Sequence, residues 1–392
     1  MSGGDDARVV VISCDGHAAG RPADYAPYID PAYRRAFDEW VRTEDGVAAA
    51  RAAALEEDRF LFSKAGSEEF ESRTGDMRDG EWDPALRTIA LEDDGIVAEV
   101  LFPNSCVPFG AFGETAGPEL RLAGNRAYDR WVLDFAQESP GRRAALAMLA
   151  VTDIGAAVAE VEWAAGAGMR GVILPTAPGD GAPPYVDPCY DPVWAACQDT
   201  GLPVHIHSGS GTPDYGDYGV VSMMLYATEV HMWARRPLWF LIWGGVLERF
   251  PALQVVFTET RAQWLPEVLE LLDGIYAAPF FSHIRETVKH KPSEYWRRQC
   301  HIGASFMTAR EAAQRQVIGL DTIMWGADYP HIEGTWPRSR HALTRAFAGV
   351  DAEDVRRILT HNPAELYRFE VGRLQPVADR VGPTMAEITA GG

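Results

Sequence analysis

Eight short apolar, β-branched runs, each followed by a longer amphipathic segment, predict an α/β chain folded as a (β/α)8 TIM barrel. The length agrees: 392 residues suit one barrel with insertions, since such barrels run as single domains of ~250 to more than ~400 residues. So does the composition, with 47% hydrophobic and 23% charged residues, enough apolar material for one large core. A single domain over 1–392 is therefore expected, with a helical insertion after strand 1 at about 18–87 and a C-terminal tail from about 371 to 392.

The runs read as strands are 7–13 (ARVVVIS), 96–102 (IVAEVLF), 144–150 (AALAMLA), 170–175 (RGVILP), 202–207 (LPVHIH), 253–259 (LQVVFTE), 299–304 (QCHIGA) and 322–327 (TIMWGA). Between them, 153–168 carries Ala and Val at helical spacing and ends in glycine, and 190–201 opens with Asp191 and Pro192 as N-cap and first helical residue. The segment 18–87 is too long for a simple connection and reads as a lid or a disordered loop with helical parts. A second insertion, 208–233, rich in Gly and Tyr, leaves the fifth strand and is expected to form part of a pocket. The tail is expected to be a short helix with a frayed end.

Composition also excludes partners. Thirty-six basic against 56 acidic residues leave a formal charge of -20, which repels a polyphosphate backbone or an anionic leaflet, so neither nucleic acid nor a membrane is expected. A small anion such as a carboxylate or coenzyme A could still be held locally by Arg21, Arg235 or Arg236. The N-terminus lacks a basic segment followed by an apolar run, and no stretch approaches the ~18 apolar residues of a membrane span, so a cytoplasmic location is expected. Five scattered cysteines without a CxxC pair suggest neither a disulfide framework nor a thiolate zinc site.

In a barrel of this kind the chemistry sits where strands end, at the C-terminal mouth. The first strand end offers Asp15-Gly16-His17, the fifth His205-Ile206-His207, the sixth Glu259, and the eighth Asp328-Tyr329-Pro330-His331. Imidazoles and carboxylates from four strand ends are the donor set a Zn, Mn or Fe ion accepts. Strand geometry places Asp15 and His17 on one side, and His205 and His207 likewise. Taken singly, a strand-end Asp is often a helix cap and a core His is often only hydrogen-bonded. His205, one layer deeper, is left as a second-site ligand or a core histidine; His207 is read as a ligand.

DGH near the N-terminus, YDPVWAACQDTGLPVHIHSG, GGVLERFPALQVVFTETRAQWLPEVLELLD, WGADYPHIEGTWP and HNPAELYRF resemble the amidohydrolase-related branch of the amidohydrolase superfamily, which also contains aminocarboxymuconate-semialdehyde decarboxylase. The resemblance runs in order from about Val9 to Glu370. It implies an amidohydrolase-like barrel with one or two divalent ions (Fe, Zn or Mn) at its mouth. Asp15 and His17 would be the first-strand ligand pair, His207 the fifth-strand ligand, and Asp328 an acid that binds metal and moves protons. Decarboxylating members look to have a histidine at the end of the sixth strand where this chain has Glu259. No lysine ends the fourth strand, so a carbamylated-lysine bridge is absent, and Glu259 with His205 or His331 could hold a second metal instead.

On that basis the leading expectation is hydrolysis of a carbonyl compound by metal-activated water. Asp328 would orient the water, Glu259 would ligate or bridge, and His331 would stabilise the oxyanion or support a ligand. Phe109, Phe112, Tyr215, Tyr218, Met223, Met224, Trp233 and Trp336 suggest a pocket for a bulky apolar acyl group, and resemblance to a dinuclear iron thioesterase branch places a thioester slightly above an amide, ester or lactone. The alternative is nonoxidative decarboxylation of an aromatic or muconate-type acid around one metal. Barrels of this family often pair, which makes a homodimer one expectation.

Overall fold

The computed structural model describes residues 7–56, 79–104, 106–110, 117–179 and 181–390. Eight parallel strands follow one another in chain order around the sheet: β1 Ile12–Ala18, β2 Ala98–Pro103, β3 Arg143–Met148, β4 Gly171–Leu174, β5 Val204–His207, β6 Val255–Thr258, β7 Cys300–Ser305 and β8 Ile323–Gly326. The ring closes through short links rather than a full ladder. Asp328 N donates to Asp15 O at 2.9 Å, His17 N to Tyr329 O at 2.7 Å, and Ala327 N to the Ser13 hydroxyl at 2.9 Å. The strands are almost wholly buried, as strands covered by helices on the outside and by packed side chains within must be.

Seven strands fall where the sequence places them, within two residues at either end. The first does not: the expected run 7–13 ends just after β1 begins, and β1 continues through the DGH motif to Ala18. The cause is an irregularity between Ser13 and Gly16 in the pairing with β2. A bulge of this kind re-aims side chains, and here it lies at Asp15.

Helices cover the barrel. In Ile154–Ala167 the Asp153 carboxylate accepts from Ala156 N at 2.9 Å, and Gly168 ends the helix at φ 87°, a conformation that costs glycine little. The helix Asp191–Thr200 begins one residue earlier than expected, so Asp191 is its first residue rather than its cap and instead binds Arg249. Of the first insertion, the described part holds the helices Arg34–Glu56 and Pro84–Asp93; the stretch 57–78 lies outside the described residues. The second insertion runs as a loop into a long helix, Val220–Trp243.

The tail differs from expectation. It forms two helices, Val371–Val381 and Met385–Thr389, whose Leu374, Ala378, Met385 and Ile388 are buried. The packing is tied down by Val9 N donating to Pro383 O at 2.9 Å, so apolar burial orders the tail as far as it is described, and residues 391–392 lie outside the described residues. All five cysteines are free. No helix among the described residues is long and apolar enough to cross a membrane.

Candidate metal centre and active site

Four strand ends converge at the C-terminal mouth. Asp15, fully buried, presents Oδ1 at 3.3 Å from His17 Nε2 and 3.2 Å from His207 Nε2. Asp328 presents Oδ1 at 3.1 Å from His17 Nε2 and 2.9 Å from His331 Nδ1. The rings of His17 and His331 stack at 4.0 Å between centroids. Donor atoms of Asp15, His17 and His207 all lie within 4.8 Å of one another, as do those of His17, Asp328 and His331. His17 is common to both groups.

Backbone carbonyls set the imidazole tautomers. A carbonyl only accepts, so His17 Nδ1 donates to Pro103 O at 2.8 Å and His207 Nδ1 to Ser208 O at 2.8 Å. In both rings Nε2 is left to face the carboxylates. His17 Nε2, both Asp328 oxygens and His331 Nδ1 are buried without a well-directed hydrogen bond. Lone pairs of imidazole and carboxylate converging on one small volume demand positive charge there. A proton on His17 supplies it in part: burial pulls the His17 pKa down, but Asp15 and Asp328 outweigh this and raise it well above the usual value. A divalent cation supplies it in full, and the oxygen and nitrogen donors fit an ion of the Mn, Fe or Zn type. Burial pushes the Asp15 carboxyl up, yet the neighbouring His207 and His17 hold it well below the usual carboxylate range.

His205 does not join the cluster, which corrects its reading as a second-site ligand. Its Nδ1 donates to Val172 O at 3.0 Å and its Nε2 accepts from the Tyr367 hydroxyl at 3.0 Å, so both ring nitrogens are committed. Burial lowers its pKa to about 3. It is a neutral core histidine, one layer beneath His207.

Glu259 follows β6 with φ 55° and faces the same mouth. The Ser208 hydroxyl donates to it, and His207 Nδ1 lies 3.6 Å from its Oε2. Burial, with Asp328 and Asp15 nearby, pushes its pKa up to about 7 although His207 pulls it down. One of its oxygens groups with Asp328 and Glu333 within 4.8 Å. Positive φ recurs here: of six non-glycine residues with it among those described, Glu259, Arg261, Phe306 and Asp328 belong to the site. Such backbone costs about 1 to 3 kcal/mol per residue and persists where surrounding contacts over-determine it.

A cavity of about 490 Å³ opens above the cluster, lined by His17, His207, Glu259 and His331, with Phe102, Tyr226 and Phe306 among its apolar walls. The pocket residues expected from the sequence are elsewhere. Tyr218 and Met224 are exposed, Trp336 packs on Tyr329, and Tyr215 binds Glu229; none of these, nor Phe109, Met223 or Trp233, lines the cavity. Phe112 lies outside the described residues. The helix Val220–Trp243 contributes Tyr226, Ala227, Val230 and His231 instead, because only one of its faces turns inward.

Nor do the expected anion-holding arginines reach it. Arg21 pairs with Asp24, Arg235 donates to Thr260 O, and Arg236 lies over Trp233 and Phe240. Arg261, Asn104, His231 and Glu333, which sequence reasoning passed over, do line the cavity. Arg261 and Glu333 stand two residues from Glu259 and His331, and that adjacency was the available signal.

A barrel whose mouth gathers imidazole and carboxylate donors in this way is the architecture of a mononuclear or dinuclear metalloenzyme class. Residues 12–369 match the family described as amidohydrolase, and the chain belongs to that family. No curated protein matches it. Among solved structures it is similar to a 5-carboxyvanillate decarboxylase from Sphingomonas paucimobilis, with 20% identity and a TM-score of 0.65 over 92% of this chain and 100% of that one. It is similar to an amidohydrolase from Mycobacterium avium subsp. paratuberculosis, with 20% identity and a TM-score of 0.66 over 92% of this chain and 99% of that one. A dihydroxybenzoic acid decarboxylase from a Polaromonas species, with bound manganese and the inhibitor 2-nitroresorcinol, shares 16% identity and a TM-score of 0.64 over 92% of this chain and 97% of that one. At these identities the likeness establishes the barrel fold.

Proposed function

We propose that this chain is a metal-dependent enzyme that removes a carboxylate, without an oxidant, from a small aromatic or muconate-type acid. The observation that carries the reading is the cavity of about 490 Å³ that joins the Asp15, His17, His207, Asp328 and His331 cluster to walls formed by Phe102, Tyr226 and Phe306. That volume is near the lower end of ligand pockets and suits one substituted ring between aromatic walls. The decarboxylases among the similar structures support the same direction. The thioester cleavage expected above finds no support in those named activities.

Asp15, His17, His207 and Asp328 would hold the ion, with His331 beside them. Bound there, a divalent cation would neutralise and orient the substrate's carboxylate. The protein's own part is the proton. When the ring–carboxylate bond breaks, carbon dioxide leaves and the ring carbon takes a proton in its place. Asp328 and His331, 2.9 Å apart, form the pair that can store and deliver it. His331 is partly exposed and reaches Asn104, so it can be reprotonated from solvent. Glu259, whose pKa burial pushes up to about 7, faces the same space and can hydrogen-bond the substrate.

One observation favours a second reading, hydrolysis by metal-activated water: Glu259 is a carboxylate at the sixth strand end, close to Asp328 and Glu333. A single assay separates the two. Protein reconstituted with Mn2+ is incubated with hydroxybenzoic and benzenedicarboxylic acids and, separately, with aryl esters and thioesters. Release of carbon dioxide from an acid supports decarboxylation; ester or thioester cleavage with no carbon dioxide from any acid would overturn it in favour of hydrolysis.

A further inference from the structure

At the end of the barrel opposite the metal-ligand cluster, a second cavity of about 320 Å³ lies where β3 and β4 begin, beside the helix Val371–Val381. Arg142, Arg143, Arg170, Arg368 and Arg373 line it, against one carboxylate among the described residues, Glu370. The chain holds 36 basic and 56 acidic residues, so this cleft reverses the balance of the whole. Leu133, Leu374, Val377 and Phe369 supply apolar wall. Guanidinium groups beside an apolar wall fit an organic anion, and the volume falls in the range of ~300 to 1,000 Å³ of ligand pockets.

Structural duties account for some of these cations but not for all. Arg143 is spent: it donates to Phe135 O at 3.2 Å and to Pro84 O at 2.8 Å, and lies 3.4 Å from Glu99. Arg142 donates to Val97 O at 2.8 Å and to Glu92 at 2.6 Å, and Arg373 pairs with Glu370 at 2.9 Å. Arg368 gives only Nη2, to Gly201 O at 2.9 Å, and ends the helix Asn362–Tyr367 at φ 59°, a position where glycine is the unstrained choice. Arg170, half-buried immediately before β4, has no side-chain hydrogen bond or ion pair among the described residues. The surplus of charge is felt at Arg143, whose pKa burial lowers to about 10; Glu99 opposes the fall, and Arg87 and Arg142 reinforce it. An anion in the cleft would relieve that repulsion.

We infer that this cavity is a binding site for a nucleoside diphosphate, with Arg170 and Arg368 as its phosphate contacts and Phe369 with the aliphatic wall against its base. A planar guanidinium matches phosphate oxygens two at a time, and a diphosphate carries enough charge to meet several such groups at once, which a single carboxylate does not. The ring of Phe369 offers a stacking face. The site lies at the strand starts, whereas Asp15, His17, His207 and Asp328 lie at the strand ends, so it stands apart from the metal centre and does not depend on the reaction performed there.

The test is titration calorimetry on the full chain, loaded with Mn2+ and desalted, with ADP and pyrophosphate as probes. ADP should bind, and pyrophosphate should bind more weakly by about 2- to 10-fold for want of the stacked ring. Arg170→Gln should weaken ADP binding by about 10- to 100-fold, the loss of a charge-assisted contact. Arg298→Gln, at an exposed arginine outside the cavity, should leave it unchanged. Circular dichroism and Mn2+ content matched to the parent protein show that both variants remain folded and loaded. No measurable binding of ADP, ADP bound no tighter than pyrophosphate, or an equal loss in Arg298→Gln would each overturn the assignment. So would affinity that survives Arg170→Gln, the outcome expected if ADP bound instead at the metal centre.

Discussion

Replacing Arg87 by methionine should cost this protein about 3 to 5 kcal/mol of stability, the usual effect of stripping one partner from a buried ion pair. Arg87 is fully buried and bonds both oxygens of Glu99, Nε to Oε1 and Nη2 to Oε2, each at 2.7 Å. Its Nη1 donates to His17 O at 2.7 Å and to Gly80 O at 3.2 Å, and its plane lies 4.8 Å above the Tyr329 ring. Without it, Glu99 keeps only Arg143 at 3.4 Å, a longer and less direct contact. Two buried carbonyls also lose a donor, at about 1 kcal/mol or more each, while methionine recovers part of the apolar packing. Arg87→Met with Glu99→Leu removes both charges of the pair and should restore part of the loss, the remainder coming from the two carbonyls and from buried Arg143, which then lacks its carboxylate. Equilibrium urea unfolding followed by tryptophan fluorescence measures all three. A single variant within 1 kcal/mol of the parent, or a double variant as weak as the single, refutes the reasoning. Because Arg87 holds the His17 carbonyl, both variants should also bind Mn2+ more weakly than the parent protein.

Three further outcomes are expected. Tyr367→Phe removes the donor to His205 and should cost about 1 to 2 kcal/mol in the same unfolding assay without changing metal content, whereas His207→Ala should lose the metal; metal loss in Tyr367→Phe would return His205 to the site. Asp328→Asn should lower turnover by about 100- to 10,000-fold if this residue moves the proton, and a variant within tenfold of the parent would remove it from that role. Asp94, which caps Ser339 at 2.9 Å, has its pKa pushed up to about 7 by burial. A raised folded-state value means its contribution is intact below the unfolded value and is lost as pH rises from about 4 through about 7. Asp94→Asn should therefore gain stability relative to the parent at pH 8 compared with pH 5, and parallel pH profiles would contradict this.

Which elements exist, and in what order, is legible in the chain. β-Branched runs alternating with amphipathic segments leave few options besides a parallel barrel, because each apolar face must be covered. Asp15, His17, His207 and Asp328 could be picked out for the same reason: they stand at strand ends, and in such a barrel those ends meet at one mouth. Depth along a strand is a different matter. Strand periodicity assigns His205 and His207 the same side, but only the register with β4 and β6, and the arrival of Tyr367 from the far end of the chain, makes one a core group and the other a site group. The bulge that carries Asp15 and the inward face of Val220–Trp243 likewise depend on neighbours distant in sequence.

By itself, then, the sequence determined the barrel, the strand order and the donor types at its mouth, since local propensity and hydrophobic period act within a few residues. The tertiary structure alone decided which histidine is spent on a hydrogen bond and which residues line the cavity, Arg261 among them. Those outcomes are set by packing and charge between segments up to hundreds of residues apart, and no local pattern records them.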